Sequence, residues 1–155
     1  MIVVSDTTPV HYLILIGEQS ILPAVFDKVI IPDAVAGEMR HRNAPEMVRR
    51  WIDDPPEWVS IESAPLFPDD SAAVLGAGEY AAIAIALASR ADAVLMDDRK
   101  AIREARKAGL TVVTTIAVLE LAAREGLIEL ESTLENLSKT TFRMPPEAVV
   151  YEYLR

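Results

Sequence analysis

The chain has no cysteine among its 155 residues. That excludes disulfides, thiolate nucleophiles and cysteine-bound metal, and it agrees with a reducing compartment, the cytoplasm being the default expectation. Histidine occurs only as His11 and His41, which do not have the spacing of a metal-ligand pair, and each is read as a surface or helix-packing residue. Aromatic residues make up 6% of the chain against 51% hydrophobic residues, so the core must be filled by Ala, Val, Ile and Leu. Such a composition suits helices laid on a parallel sheet. Positive charge is also short: 15 Lys and Arg face 24 Asp and Glu, for a net charge of -9. This disfavours loose binding to a phosphate backbone, so any nucleic-acid contact must be local or metal-assisted. Long apolar runs are missing too. The longest helical one, AAIAIALA, is far short of a membrane span. The N-terminal MIVVSDTTP enters a strand pattern without a basic or long apolar leader, so a soluble protein without a signal peptide is expected.

What is present alternates. Short β-branched runs at 2-5, 28-31, 58-61, 93-96 and 111-113 read as strands. Helix-period stretches lie between them, at 9-22 with a break near Gly17, then at 33-42, 45-52, 77-90, 98-108 and 115-125, with further helices expected at 130-138 and 146-154. The alternation predicts a three-layer α/β/α sandwich with a mostly parallel five-stranded sheet, in one domain covering 1-155. The Pro-rich DDPPEW and APLFPDD read as surface loops of that domain. The aromatic-rich end, TTFRMPPEAVVYEYLR, reads as packing on its own core, with docking or oligomer contact as the other use.

In a parallel α/β sheet, ligands gather outside the C-terminal ends of the strands. Asp6 ends the first strand, and Asp97 and Asp98 end the fourth. Glu79 begins the helix before the fourth strand, with Ile83, Ala86 and Leu87 as partners on an inward stripe. Asp98 stands in the same relation to Ile102, Ala105 and Arg106, and Glu38 leans to the same edge from the helix after the second strand. Converging carboxylates without matching cations repel one another, and a divalent ion resolves the conflict. Oxygen ligands favour Mg²⁺ or Mn²⁺, and such an ion at a phosphodiester points to hydrolysis.

Four segments, SDTTP, IPDAVAGEM, GAGEYAAIAIALA and VLMDDRKAIREA, together resemble the PIN-domain nucleases over about residues 2-125. The resemblance is nearest to a stand-alone prokaryotic PIN-like branch related to VapC-type toxins. It implies strand order 3-2-1-4-5, with Asp6 and Asp98 flanking the switch point. It also implies one or two Mg²⁺ or Mn²⁺ ions held by Asp6, Glu38, Glu79 and Asp98 or Asp97, an RNA substrate, and a homodimer. A toxin role would add an antitoxin whose segment blocks the acids. Asp98 is favoured over Asp97 as the ligand. Two departures from the toxin pattern stand out, Glu79 where Asp is common and MDDR where T-x-D is common. Ser5, Thr7 and Thr115 match small hydroxyl positions, and Thr7 and Thr115 are candidate substrate contacts together with Arg99 and Lys100.

Each acid also has a plainer reading. Asp6 before Thr-Thr-Pro can cap a helix, Glu79 can serve a helix dipole, Glu38 can be a solvated helix residue, and one of Asp97 and Asp98 can be a cap. The basic run Arg99, Lys100, Arg103, Arg106 and Lys107 can be a solvated face or a guide for RNA. Arg40, His41 and Arg42 likewise can contact phosphate or pair with acids such as Glu46. A dehalogenase-type phosphatase would want a second acid where Thr8 stands, and a receiver domain would want an aspartate after the third strand and a lysine after the fifth, which WVSIESAP and TVVTTIAV lack. A PIN-like module that binds without cutting remains the alternative.

Overall fold

The computed structural model describes residues 1-65 and 75-146. Five strands form one sheet in the order β3-β2-β1-β4-β5, with every pair parallel. They are β1 (Ile2–Ser5), β2 (Lys28–Pro32), β3 (Val59–Glu62), β4 (Ala93–Leu95) and β5 (Val112–Val113). The helices are α1 (Thr7–Leu15), α2 (Ile21–Phe26), α3 (Asp33–Met39), α4 (Glu46–Asp53), α5 (Ala77–Ser89), α6 (Arg99–Lys107), α7 (Thr115–Arg124) and α8 (Leu130–Ser138).

Successive residues of a strand face opposite sides, and in the central strands β1, β2 and β4 both sides are buried, whereas one face of β3 is exposed. Val3, Val29, Ile31, Ala93 and Leu95 join one cluster with residues of α1, α2, α3, α4, α7 and α8. Val4, Ile30, Val94 and Met96 join a second with α5 and α6. The near-continuous apolar strands follow from this coverage, because a strand sandwiched between helix layers has no solvent side.

Several boundaries differ from the sequence expectation. The stretch expected over 9-22 with a break near Gly17 is indeed divided there, where Gly17 takes φ 74, a conformation that a residue with a Cβ adopts only under strain, but its two helices, α1 and α2, reach from Thr7 to Phe26. The helix expected over 33-42 stops at Met39. β5 is two residues long, and β4 ends at Leu95, with Met96 buried beyond it. The expected helix at 146-154 and most of the Pro-rich stretch at 64-70 lie outside the described residues. Among the described residues, no helix is long and apolar enough to cross a membrane.

The centre of the sheet is what fixes the first acid in space. β1 pairs with β4 in the register Val3↔Ala93, Val4↔Val94 and Ser5↔Leu95, and the backbone N–H of Asp6 then donates to the Leu95 carbonyl at 2.9 Å. Leu95 is fully buried beneath this junction. Leu95→Ala is expected to destabilise the protein by about 2 to 5 kcal/mol, the usual range for a leucine removed from a packed core. Urea denaturation measures it, and a loss under 1 kcal/mol would contradict the packing described, taking about that value as the cost of ordinary surface changes.

Candidate active site

Because the strands are parallel, helices that follow them begin at the strands' C-terminal edge. α1 starts directly after β1, α6 just past β4, and α7 just past β5. α5, which leads into β4, runs antiparallel to it and begins at the same edge. The positive ends of these four helices are therefore gathered there. Onto this edge the chain places Asp6, Glu38, Glu79, Asp97 and Asp98.

Asp6 is the most enclosed of them, at 6% exposure. It occupies the cap position of α1 but makes no side-chain cap bond. A cap side chain accepts from the second or third helical N–H; the third helical residue is Pro9, which has none, and no cap bond is made with the second, Thr8, either. Among the described residues, the one backbone donor to the carboxylate is the Thr7 N–H. Burial pushes its pKa from 3.8 up to about 7, the Thr7 N–H opposes this, and Glu79, Glu38 and Asp97 push it further.

Glu79 sits in the first turn of α5 and accepts the backbone N–H of Gly76, the residue that caps the helix. That is half of a capping box. The plainer reading of Glu79 is thus partly correct, yet its pKa is raised, first by burial, then by Asp98 and Glu38. The stripe used to orient it needs correction. Leu87 is 41% exposed, whereas Ala81 through Ala86 are all buried, so α5 is covered around most of its girth and its first turn, rather than a stripe, aims Glu79.

Glu38 projects from α3, exposed, and accepts a hydrogen bond from the Thr7 hydroxyl. Its other oxygen faces Gly78 of α5: a Cβ built on that glycine would lie 2.8 Å from Glu38 Oε1 and 3.2 Å from Val35 Cγ2. The missing side chain lets α3 and α5 approach closely enough for Glu38 and Glu79 to feel each other. Gly78 was not singled out from the sequence. The available signal was a glycine inside a helix, which costs about 1 kcal/mol relative to alanine and asks for a packing reason.

The two aspartates after β4 divide their work. Asp97 accepts the Thr115 N–H at 3.1 Å and the Thr115 hydroxyl at 2.5 Å, so it ties the end of β4 to the start of α7. Burial raises its pKa and these two bonds hold it back. Asp98 is exposed and caps α6, accepting the Ala101 N–H at 3.0 Å through Oδ2. The cap expected of one of the two aspartates is thus Asp98, which is not the inward-facing residue expected from Ile102 and Ala105, although it still acts on Glu79 through space. Ser5, fully buried, donates to the Asp6 carbonyl rather than to the cluster, and Arg99 and Lys100 are exposed in the first turn of α6. Neither histidine is brought to this edge by a described bond. Instead, the His41 ring accepts the Asn43 N–H, and His11 packs on Tyr12.

Among the described residues, none of the five carboxylates forms a salt bridge. Nor do any three acids or histidines among them converge tightly enough, in these positions, to enclose a metal ion. An all-parallel sheet in this order, flanked by helices, is that of a PIN-like α/β protein. The family model for the DUF3368 PIN domain matches residues 2-155, and the chain belongs to the PIN-domain family, a family of nuclease-like fold. Comparison with curated proteins and with solved structures gives no match.

Two predictions test this geometry. The raised pKa of Asp6 means that the folded state holds a proton the unfolded chain has released, so its stability is greatest below 3.8 and is lost as pH climbs towards about 7. Asp6→Asn, denatured in EDTA, should therefore gain stability above neutral pH, up to a ceiling of about 4 kcal/mol, and almost none in acid. Equal effects at both ends would rule out the burial argument. Gly78→Ala should leave stability within about 1 kcal/mol, helix propensity offsetting the clash, while turning Glu38 away from Thr7. A crystal structure of the variant with Glu38 unmoved would contradict the close approach.

Proposed function

We propose that this protein is a metal-dependent ribonuclease that hydrolyses RNA phosphodiester bonds at the edge built around Asp6. The observation that carries the reading is Asp6 itself: a buried carboxylate with no cap bond, neighbouring acids on several sides, and no cationic partner among the described residues. Burying such a group unpaired is costly, and a structural role would have supplied a counter-charge or a fuller set of donors.

The donor set suits a hard cation. It offers oxygen alone, from carboxylates whose mutual repulsion a Mg²⁺ or Mn²⁺ ion would relieve. Mg²⁺ is commonly held by one or two carboxylates with water completing its shell, so a complete protein cage is not required. Asp6, Glu79 and Asp98 are the residues that would hold it. Asp97 has both oxygens engaged with Thr115 and is better suited to positioning. When bound, the ion would supply charge neutralisation at the scissile phosphate and a more acidic water. Glu38, held by Thr7, would orient what approaches from the α3 side. Thr7 and Thr115 are the hydroxyls nearest these acids by their own hydrogen bonds, and Arg99 and Lys100 stand beside Asp98 in sequence at the start of α6.

The same chemistry describes an inhibitor. If the protein is the toxin of a toxin-antitoxin pair, its antitoxin would do best by extending a Lys or Arg into the acids, supplying the counter-charge that the described residues lack.

The test is cleavage of RNA by the purified protein with Mn²⁺, abolished by EDTA and by Asp6→Asn. The substitution is expected to lower the rate by at least 100-fold, on the scale of losing a charge-stabilising group in a nuclease site, while the variant stays folded. Full cleavage by Asp6→Asn would dismiss the mechanism. Absence of cleavage in the wild type, together with Mn²⁺ that fails to bind, would favour a PIN-like module that binds without cutting.

A further inference from the structure

In a chain of net charge -9, five of the fifteen Lys and Arg residues fall within the nine residues of α6: Arg99, Lys100, Arg103, Arg106 and Lys107. A solvated helix of a soluble protein ordinarily mixes signs, placing acids one turn from bases. α6 carries a single acid, Glu104, and it pairs with Lys107. Arg99, Lys100, Arg103 and Arg106 have no ion-pair partner among the described residues. Ala101 and Ala105 hold the opposite face of the helix against the sheet, so the cations are all turned outward. Arg99, Arg103 and Arg106, at i, i+4 and i+7, stand one above another along the helix. With Ile102 and Lys107 they line a shallow open depression of about 640 Å³.

The position of this strip matters as much as its charge. Its first cation follows directly on Asp98, which acts on Glu79 in the acidic cluster. A polyanion approaching that cluster on a protein of net charge -9 finds in α6 a concentrated run of unpaired cations beside it. We propose that the outward face of α6 is the docking strip for the phosphate backbone of the RNA that enters the acidic edge, with Arg103 and Arg106 as contacts remote from the reacting phosphate. This rests on the nuclease reading above for the direction of entry, but not for the binding itself. A protein partner fits the face less well. Protein interfaces draw their energy from buried aromatic or aliphatic anchors, and this face offers one half-buried Ile102 among charges, whereas a phosphate backbone requires cations alone.

The experiment measures fluorescence anisotropy of a labelled single-stranded RNA with the full chain in EDTA, across graded salt. Arg103→Gln/Arg106→Gln is compared with the wild type and with Arg50→Gln/Lys139→Gln, which removes the same charge from α4 and the end of α8. The strip variant is expected to bind on the order of tenfold more weakly, with a salt slope lower by about 1.4, which is about 0.7 for each lost phosphate contact. The control is expected to keep the wild-type slope. All three should melt at the same temperature, since the replaced side chains are exposed.

Equal loss in both variants would reduce the effect to net charge and overturn the strip, as would unchanged binding in the strip variant. Sedimentation of the same proteins gives a further outcome. A wild-type dimer that dissociates in the strip variant, with RNA binding unaltered, would assign α6 to contact between copies and overturn the proposal. Because EDTA removes cleavage from the measurement, the two readings fail separately. A wild type that binds through α6 yet cuts nothing with Mn²⁺ supports the strip and rejects the nuclease.

Discussion

The register between β1 and β4 is the contact on which the acidic edge depends. Side chains of a strand alternate between faces, so sliding β1 by one residue would exchange the two sides of the sheet and carry Asp6 away from Asp97 and Asp98. The register is held because each side has its own core: Val3 and Leu95 belong to one cluster, Val4 and Val94 to the other. The Asp6 N–H extends the ladder by one bond to Leu95, so the acid begins where the sheet stops. Packing energy at the centre of the protein thereby sets the position of a charge at its rim.

From that junction, two clasps arrange the remaining acids. Asp97 takes two bonds from Thr115, which joins the end of β4 to α7. Glu38 accepts from Thr7 and lies against Gly78, which joins α1, α3 and α5. Each clasp places a carboxylate near Asp6, and their combined field opposes its ionisation along with burial. Electrostatic tension is thus built by contacts that separately stabilise the fold, and it accumulates at Asp6, the most enclosed of the five acids.

Much of the architecture was legible in the sequence, because burial on both sides leaves short apolar runs such as those of β1, β2 and β4 between helical patterns. The strand order was not read from those patterns. It came from the likeness of four motifs to a family, since periodicity says nothing about which strands are neighbours. The presence of Asp6, Glu79 and the Asp97–Asp98 pair at one edge was legible from topology. Their individual roles were not, because these depend on side-chain rotamers: Asp98 was expected to face inward and instead caps α6, and the choice of Asp97 as an anchor rests on the Thr115 hydroxyl. Leu87 misled for another reason. A helix as uniformly apolar as α5 has no polar side to mark its direction, so a stripe drawn through it is ambiguous. Gly78 escaped notice because the neighbour it accommodates is forty residues away in the chain.

Pro9 has a consequence for how such a protein can change. By offering no N–H at the third helical position, it withholds one of the two partners that ordinarily settle an acid into a capping role. An alanine there would restore that donor and give the helix a conventional start. The chain would gain a stronger cap, and the acid, now satisfied by its own backbone, would have less to offer an incoming cation. A more firmly capped helix and a more available acid are therefore competing uses of one carboxylate, and Pro9 weighs on the side of the second.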